Sequence, residues 1–129
     1  MESISLQFSC VPGEFAICRL PAGSAVPLWG LKGSFFSSTG TPEEVSLVCL
    51  AAQVPADIQH QAGWACLKLH GPFPFDLTGI LASFLEPLSA KTIPIFAIST
   101  FDTDYVLVPQ GSLDQAMTAL GEAGHRFAG

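Results

Sequence analysis

Six consecutive residues, Ser99, Thr100, Phe101, Asp102, Thr103 and Asp104, gather hydroxyls and two carboxylates into one short polar stretch. A turn needs only Gly, Asn or a single Asp. Carboxylates beside hydroxyls suit a cation or a set of N–H donors. Asp104 stands against Tyr105 at the head of an apolar run. An anion there costs desolvation unless a cation or several N–H groups meet it. Asp102 and Thr103 also have a plainer reading, as turn residues that satisfy their own backbone.

Catalytic sets are weaker. Phe101-Asp102-Thr103 before an apolar strand has the start of an aspartic-protease motif, whose two carboxylates must share a proton. That motif needs glycine where this chain has Asp104, then a small hydroxyl residue where it has Tyr105. The expected helix content is also too high for that all-β fold. Cys66 and His70 at i, i+4 in a strand share a face but lie about 13 Å apart, too far to act as nucleophile and base. No G-x-S-x-G, P-loop or G-x-G-x-x-G is present. The four cysteines (10, 18, 49 and 66) lack C-x-x-C spacing, and His60, His70 and His125 fall at no ligand spacing. Buried thiols in a reducing compartment are expected. Trp29 and Trp64 are expected as core or interface anchors. No enzyme activity, metal or cofactor is expected.

The elements that position the polar stretch come next. Pro94–Ser99 and Tyr105–Val108 are apolar runs rich in β-branched and aromatic residues, so the stretch is the tip of a β-hairpin. The nearly unbroken first run predicts a strand covered on both faces or at the centre of a sheet. Before it, Ile80, Leu81, Phe84, Leu85 and Leu88 form one helical stripe, with Asp76 or Thr78 as the cap. Pro87 should kink that helix by deleting the bond back to Ser83. After the hairpin, Ser112-Leu113-Asp114-Gln115 resembles a capping box. It opens a helix ended by Gly121 or Gly124, and residues 125–128 can add a last strand.

The first half is less regular. Ile4, Leu6, Phe8 and Cys10 alternate with polar residues as in a half-buried strand. Pro12-Gly13 reads as a turn, Glu14–Leu20 as a strand, and Val26–Leu31 as about one turn of helix. Ser34–Thr39 and Val45–Ala51 are further strands, Gln53–Gly63 a polar linker, and Trp64–His70 the strand that opens the second half. The second half thus runs β-α-β-β-α-β, the split βαβ arrangement. The first half echoes it with a stunted helix, and two tandem copies with the first degenerate account for both.

Composition bounds the function. A chain of 129 residues buries roughly 68% of its unfolded surface, enough for a core. Charged residues are only 12% and hydrophobic ones 49%, with mean hydropathy +0.45. So little polar surface predicts a subunit interface, most simply a homodimer. A net charge of −6 with five scattered basic residues argues against nucleic acid and anionic membranes. No run approaches the ~20 apolar residues needed to span a bilayer. Met1-Glu2-Ser3 lacks signal-peptide character, so a cytoplasmic location is expected.

The string Phe96–Val108, preceded by Leu77-Thr78-Gly79-Ile80-Leu81, resembles the ACT-domain family. The likeness is greatest to stand-alone proteins with repeats like those of aspartate kinases and cytosolic arginine sensors. It spans 61–125 closely and 12–56 by pattern. The resemblance implies an α+β, ferredoxin-like (βαββαβ) sandwich in two units, 1–57 and 62–129. It further implies side-by-side pairing and a free amino acid bound at the paired interface to regulate something else. Carried over by position, the site comprises Leu77, Thr78, Gly79 and Ile80 with Ser99, Thr100, Phe101, Asp102 and Asp104. Free N–H groups at the helix start suit the ligand carboxylate. Gly79 would let the backbone approach closely. Asp102 or Asp104, with the carbonyls of Thr100 and Phe101, suits its ammonium or a cationic side chain. The first half has Ser37, Ser38 and Thr39 but no aspartate pair. The alternative is a module that has lost the ligand and only associates.

Overall fold

A computed structural model describes residues 4–129, so the expectation placed on Met1-Glu2-Ser3 lies outside the described residues. The chain forms two compact units. One is Val11–Trp64; the other joins the start of the chain, as far as Cys10, to Ala65–Gly129.

In the unit of residues 11–64, β1 (Gln7–Pro21) contributes its later residues and pairs antiparallel with β3 (Glu44–Leu50), which pairs with β2 (Ser37–Gly40). The expected turn at Pro12-Gly13 is absent. Strand β1 continues through these residues, with Gly13 at φ +106, a conformation that favours glycine, and a side chain there would meet Leu50 at 2.7 Å. The stunted helix is a single 3-10 turn, Leu28–Gly30. It sits so close to the sheet that a Cβ on Gly30 would run into the Leu47 side chain. Ala16, Cys18, Leu47 and Cys49 form the core beneath it, with Val26 and Trp29 packed against them. The expected linker is only partly one. Ala51–Gln53 is a 3-10 turn, and β4 (Gln59–Leu69) begins five residues before Trp64.

In the other unit β4 is flanked by β1 and by β6 (Asp104–Pro109). Beyond β6 lies β5 (Phe96–Ser99), and beyond β1 lies the short β7 (Arg126–Phe127), parallel to it. The first residues of β1 thus stand between β4 and β7. Two helices, α1 (Ile80–Ala90) and α2 (Leu113–Glu122), contact each other and share a core with the sheet. Phe84 and Leu88 of α1 meet Leu6, Phe8, Leu67, Leu69, Val106 and Val108 there, with the Phe8 and Phe84 rings edge to face at 5.3 Å. Strand β6 is buried at three consecutive positions, Val106–Val108, as a strand covered on both faces must be. Strand β5 is not. It is an edge strand with Ala97 and Ser99 exposed, because its apolar run has a neighbour on one side only.

Helix ends depart from expectation at the N-terminal side. Neither Asp76 nor Thr78 caps α1; its cap position is Gly79, left-handed at φ 83, with no side-chain cap. Ser112 precedes α2 without a side-chain cap bond either, because a 3-10 turn over Gln110–Ser112 leads into the helix. The C-terminal ends are regular. His125 N–H reaches the Leu120 carbonyl and Gly124 N–H reaches that of Gly121, both at 3.0 Å, with Gly124 at φ 96. Thr92 makes the same turn after α1 at φ 58, with Ile93 N–H on the Leu88 carbonyl. Helix α1 continues across Pro87 to Ala90.

Candidate functional site

The β5–β6 register sets Ser99 directly opposite Asp104, and the Ser99 hydroxyl donates to Asp104 Oδ1. Alternation along β6 puts Asp104 on the same face as Val106 and Val108, the face covered by the helices. The tip is closed on itself. Thr100 N–H donates to the Thr103 carbonyl at 2.8 Å and Thr103 N–H to Thr100 Oγ1 at 3.3 Å. Thr103 is buried and its hydroxyl donates to the Leu69 carbonyl at 2.7 Å, which ties the tip to β4. Thr103 therefore anchors the hairpin.

Across from the tip, the first turn of α1 lacks a side-chain cap, and its first backbone bond is Ser83 N–H to the Gly79 carbonyl at 2.9 Å. The N–H groups of Ile80, Leu81 and Ala82 therefore have no partner within the helix, and no acidic residue stands in the first turn. An anion is favoured at that end. A Cβ at Gly79 would make only an ordinary 3.5 Å contact with Ile4, so the glycine serves its positive φ and not close packing.

These two features border one cavity of about 330 Å³. Of the residues expected from the sequence, Leu77, Gly79, Ile80, Ser99, Thr100, Phe101, Asp102 and Asp104 line it; Thr78 does not. Phe73, Pro74, Phe75, Leu81, Ala82 and Thr103 line it as well. Phe75 and Phe101 stand 76% and 78% exposed, yet their rings pack edge to face at 4.8 Å. The loop 71–75 supplies Phe73, Pro74 and Phe75, none of them among the residues expected at the site. The available signal was its pair of phenylalanines, too apolar for a solvated connection. Phe73 N–H donates to the Asp102 carbonyl at 2.9 Å, so that loop and the tip are joined.

The cysteines lie elsewhere. Burial pushes the Cys49 and Cys66 thiols up to about 12, and burial raises Cys10 and Cys18 as well. Such thiols are poor nucleophiles.

An uncapped helix start facing a carboxylate-bearing hairpin, on a sheet covered by two helices, marks an α+β module with a cavity of small-molecule size. A family model described as an ACT domain matches residues 59–122, and a second, described as an N-terminal domain, matches 13–57. Residues 59–122 of the chain belong to the ACT-domain family. The human cytosolic arginine sensor for mTORC1 subunit 1 is 36% identical over 58 residues, 44% of this chain but only 18% of that protein. A crystal structure of an Agrobacterium tumefaciens protein is 40% identical, with a TM-score of 0.93 over 98% of this chain and 94% of that one. The regulatory subunit of aspartate kinase from Thermus thermophilus shares the fold, with a TM-score of 0.59 at 8% identity over 85% of this chain and 91% of that one. Among the described residues, no helix is long and apolar enough to cross a membrane.

Proposed function

We propose that this protein is a non-catalytic regulatory module that binds a free amino acid in the cavity between the start of α1 and the β5–β6 tip. One observation carries the reading: Gly79 and Asp104 line the same 330 Å³ space. The ligand carboxylate takes the N–H groups of Ile80, Leu81 and Ala82, and its ammonium or a cationic side chain takes Asp104 or Asp102. Arginine and lysine are the first ligands to try, given the two carboxylates and the name of the human relative. Two tandem ferredoxin-like repeats, 1–57 and 62–129, the first degenerate, account for the pair of family matches. These repeat bounds differ from the compact units, since β1 lends its first residues to the second. Exposure of Phe75, Leu77 and Phe101 beside the cavity favours a homodimer that covers them. The same exposure supports the second reading, a ligand-free dimerisation module.

Thermal unfolding with each amino acid in turn tests the proposal. A ligand at one hundred times its Kd adds ~2.7 kcal/mol, a rise of several degrees in a domain this size. One amino acid should produce that rise, and Asp104→Ala should remove it. If none does while the protein still dimerises, the ligand-free reading replaces this one.

A further inference from the structure

A second cavity, of about 290 Å³, lies on another side of the hairpin tip and has a different chemistry. Lys68, His70, Gly71, Pro72, Asp102 and Thr103 line it. We propose that it binds a small anion bearing a carboxylate or phosphate group, at a site separate from the amino-acid cavity. The inference does not depend on the amino-acid reading.

Three observations support it. Lys68 lies near the end of β4 and His70 directly follows its last residue, two positions on, and both are exposed while Leu67 and Leu69 are buried. This brings an ammonium and an imidazole to one cavity in a chain with only five Lys and Arg residues and a net charge of −6. Next, the imidazole is held. The backbone N–H of His70 donates to the Gln7 carbonyl at 2.9 Å, which fixes the main chain, and ring Nε2 is hydrogen-bonded to the Ser9 hydroxyl, which holds the ring. A hydroxyl both donates and accepts. Ser9 therefore holds the ring in place whichever of its nitrogens carries the proton. Last, the walls are fixed. A Cβ on Gly71 would fall 2.8 Å from the Asp102 carbonyl and 3.1 Å from Thr103 Cβ, so only glycine lets the strand end approach the tip so closely. The bonds from Phe73 N–H to Asp102 and from Thr103 to Leu69 close the same wall. Asp102 is the opposing charge. It weakens every anion, the more so the higher its charge.

The test is a titration of the full chain with sodium phosphate and, in a second arm, sodium acetate, at ionic strength matched with NaCl. The ring signals of His70 are followed by NMR. Saturable shifts are expected, and the arm that saturates at lower concentration tells phosphate from carboxylate. Lys68→Ala, at an exposed position that folds, should weaken binding about tenfold or more, the loss of one charge-assisted hydrogen bond. Asp102→Asn should strengthen it. Shifts that do not saturate in either arm, shifts unchanged in Lys68→Ala, or weaker binding in Asp102→Asn each overturn the proposal. Lys68→Ala should leave any amino-acid thermal shift intact. Loss of both responses in that variant would mean that one site serves both ligands, and the separate anion site would be wrong.

Discussion

The Ser83 carbonyl is where a proline in mid-helix should be felt, since Pro87 has no N–H to offer it. The fold supplies a substitute. His125 Nε2 lies 3.0 Å from that carbonyl, while Nδ1 accepts the Leu6 N–H at 3.1 Å. A carbonyl can only accept, so the proton must sit on Nε2 and both ring nitrogens are used. His125 is 4% exposed and packs against Phe84 with ring centroids 5.5 Å apart. His125→Ala should therefore strand two backbone groups and open a cavity, at a cost of about 2–5 kcal/mol. In a Pro87→Ala background the helix can bond Ser83 itself, and the loss should shrink by about 1 kcal/mol. A double-mutant cycle in denaturant measures this coupling; strictly additive losses would show that Pro87 is not the reason for the histidine. The sequence marks Pro87 and the carbonyl it frees. It does not mark the partner, which comes from 42 residues away.

At the scale of elements, Thr92 is the residue most at odds with its place. It closes α1 in the left-handed region at φ 58, where Gly124 closes α2 at φ 96. A β-branched residue is strained there. Thr92→Asn should raise stability by roughly 0.5–1 kcal/mol, seen as a higher denaturant midpoint with an unchanged slope. Elements with apolar periodicity were readable: the α1 stripe, the two runs of the hairpin, and the β3 run. Elements held by pairing alone were not. Gln59–Gly63 is strand although it is polar, with Gly63 N–H on Glu14 Oε2 at 2.9 Å and no apolar alternation to announce it. Pro12-Gly13 has turn chemistry but stays within β1, with Gly13 at φ +106, because the pairing of the residues after it with β3 carries the strand on. The candidate site divides the same way. Residues at the hairpin tip and the helix start could be named from the sequence. Phe73 and Phe75 offered only their apolar character as a signal, since they join the cavity through a loop bonded to Asp102 that no local pattern announces.

For the whole molecule, two buried thiols report on the two units separately. Cys49 belongs to Val11–Trp64 and Cys66 to the other unit; both are fully buried, and burial lifts each from an ordinary 9.0 to about 12. The sign follows from proton counting. Below pH 9 each thiol is protonated folded or unfolded, and neither contributes a slope. Between about 9 and 12 the unfolded chain releases protons that the folded chain retains, so stability falls as pH rises. Each thiol contributes at most ~1.4 kcal/mol per pH unit in that window. Equilibrium unfolding from pH 7 to 11 should therefore show a plateau and then a decline. Cys49→Ala and Cys66→Ala should each flatten the decline, apart from any constant loss due to the smaller side chain. Iodoacetamide at pH 8 should leave both thiols unmodified in the folded chain and label both in denaturant, with peptide mapping to tell the units apart. Rapid labelling of Cys49 alone under native conditions would mean that the unit Val11–Trp64 opens independently, and that its short core does not hold it closed.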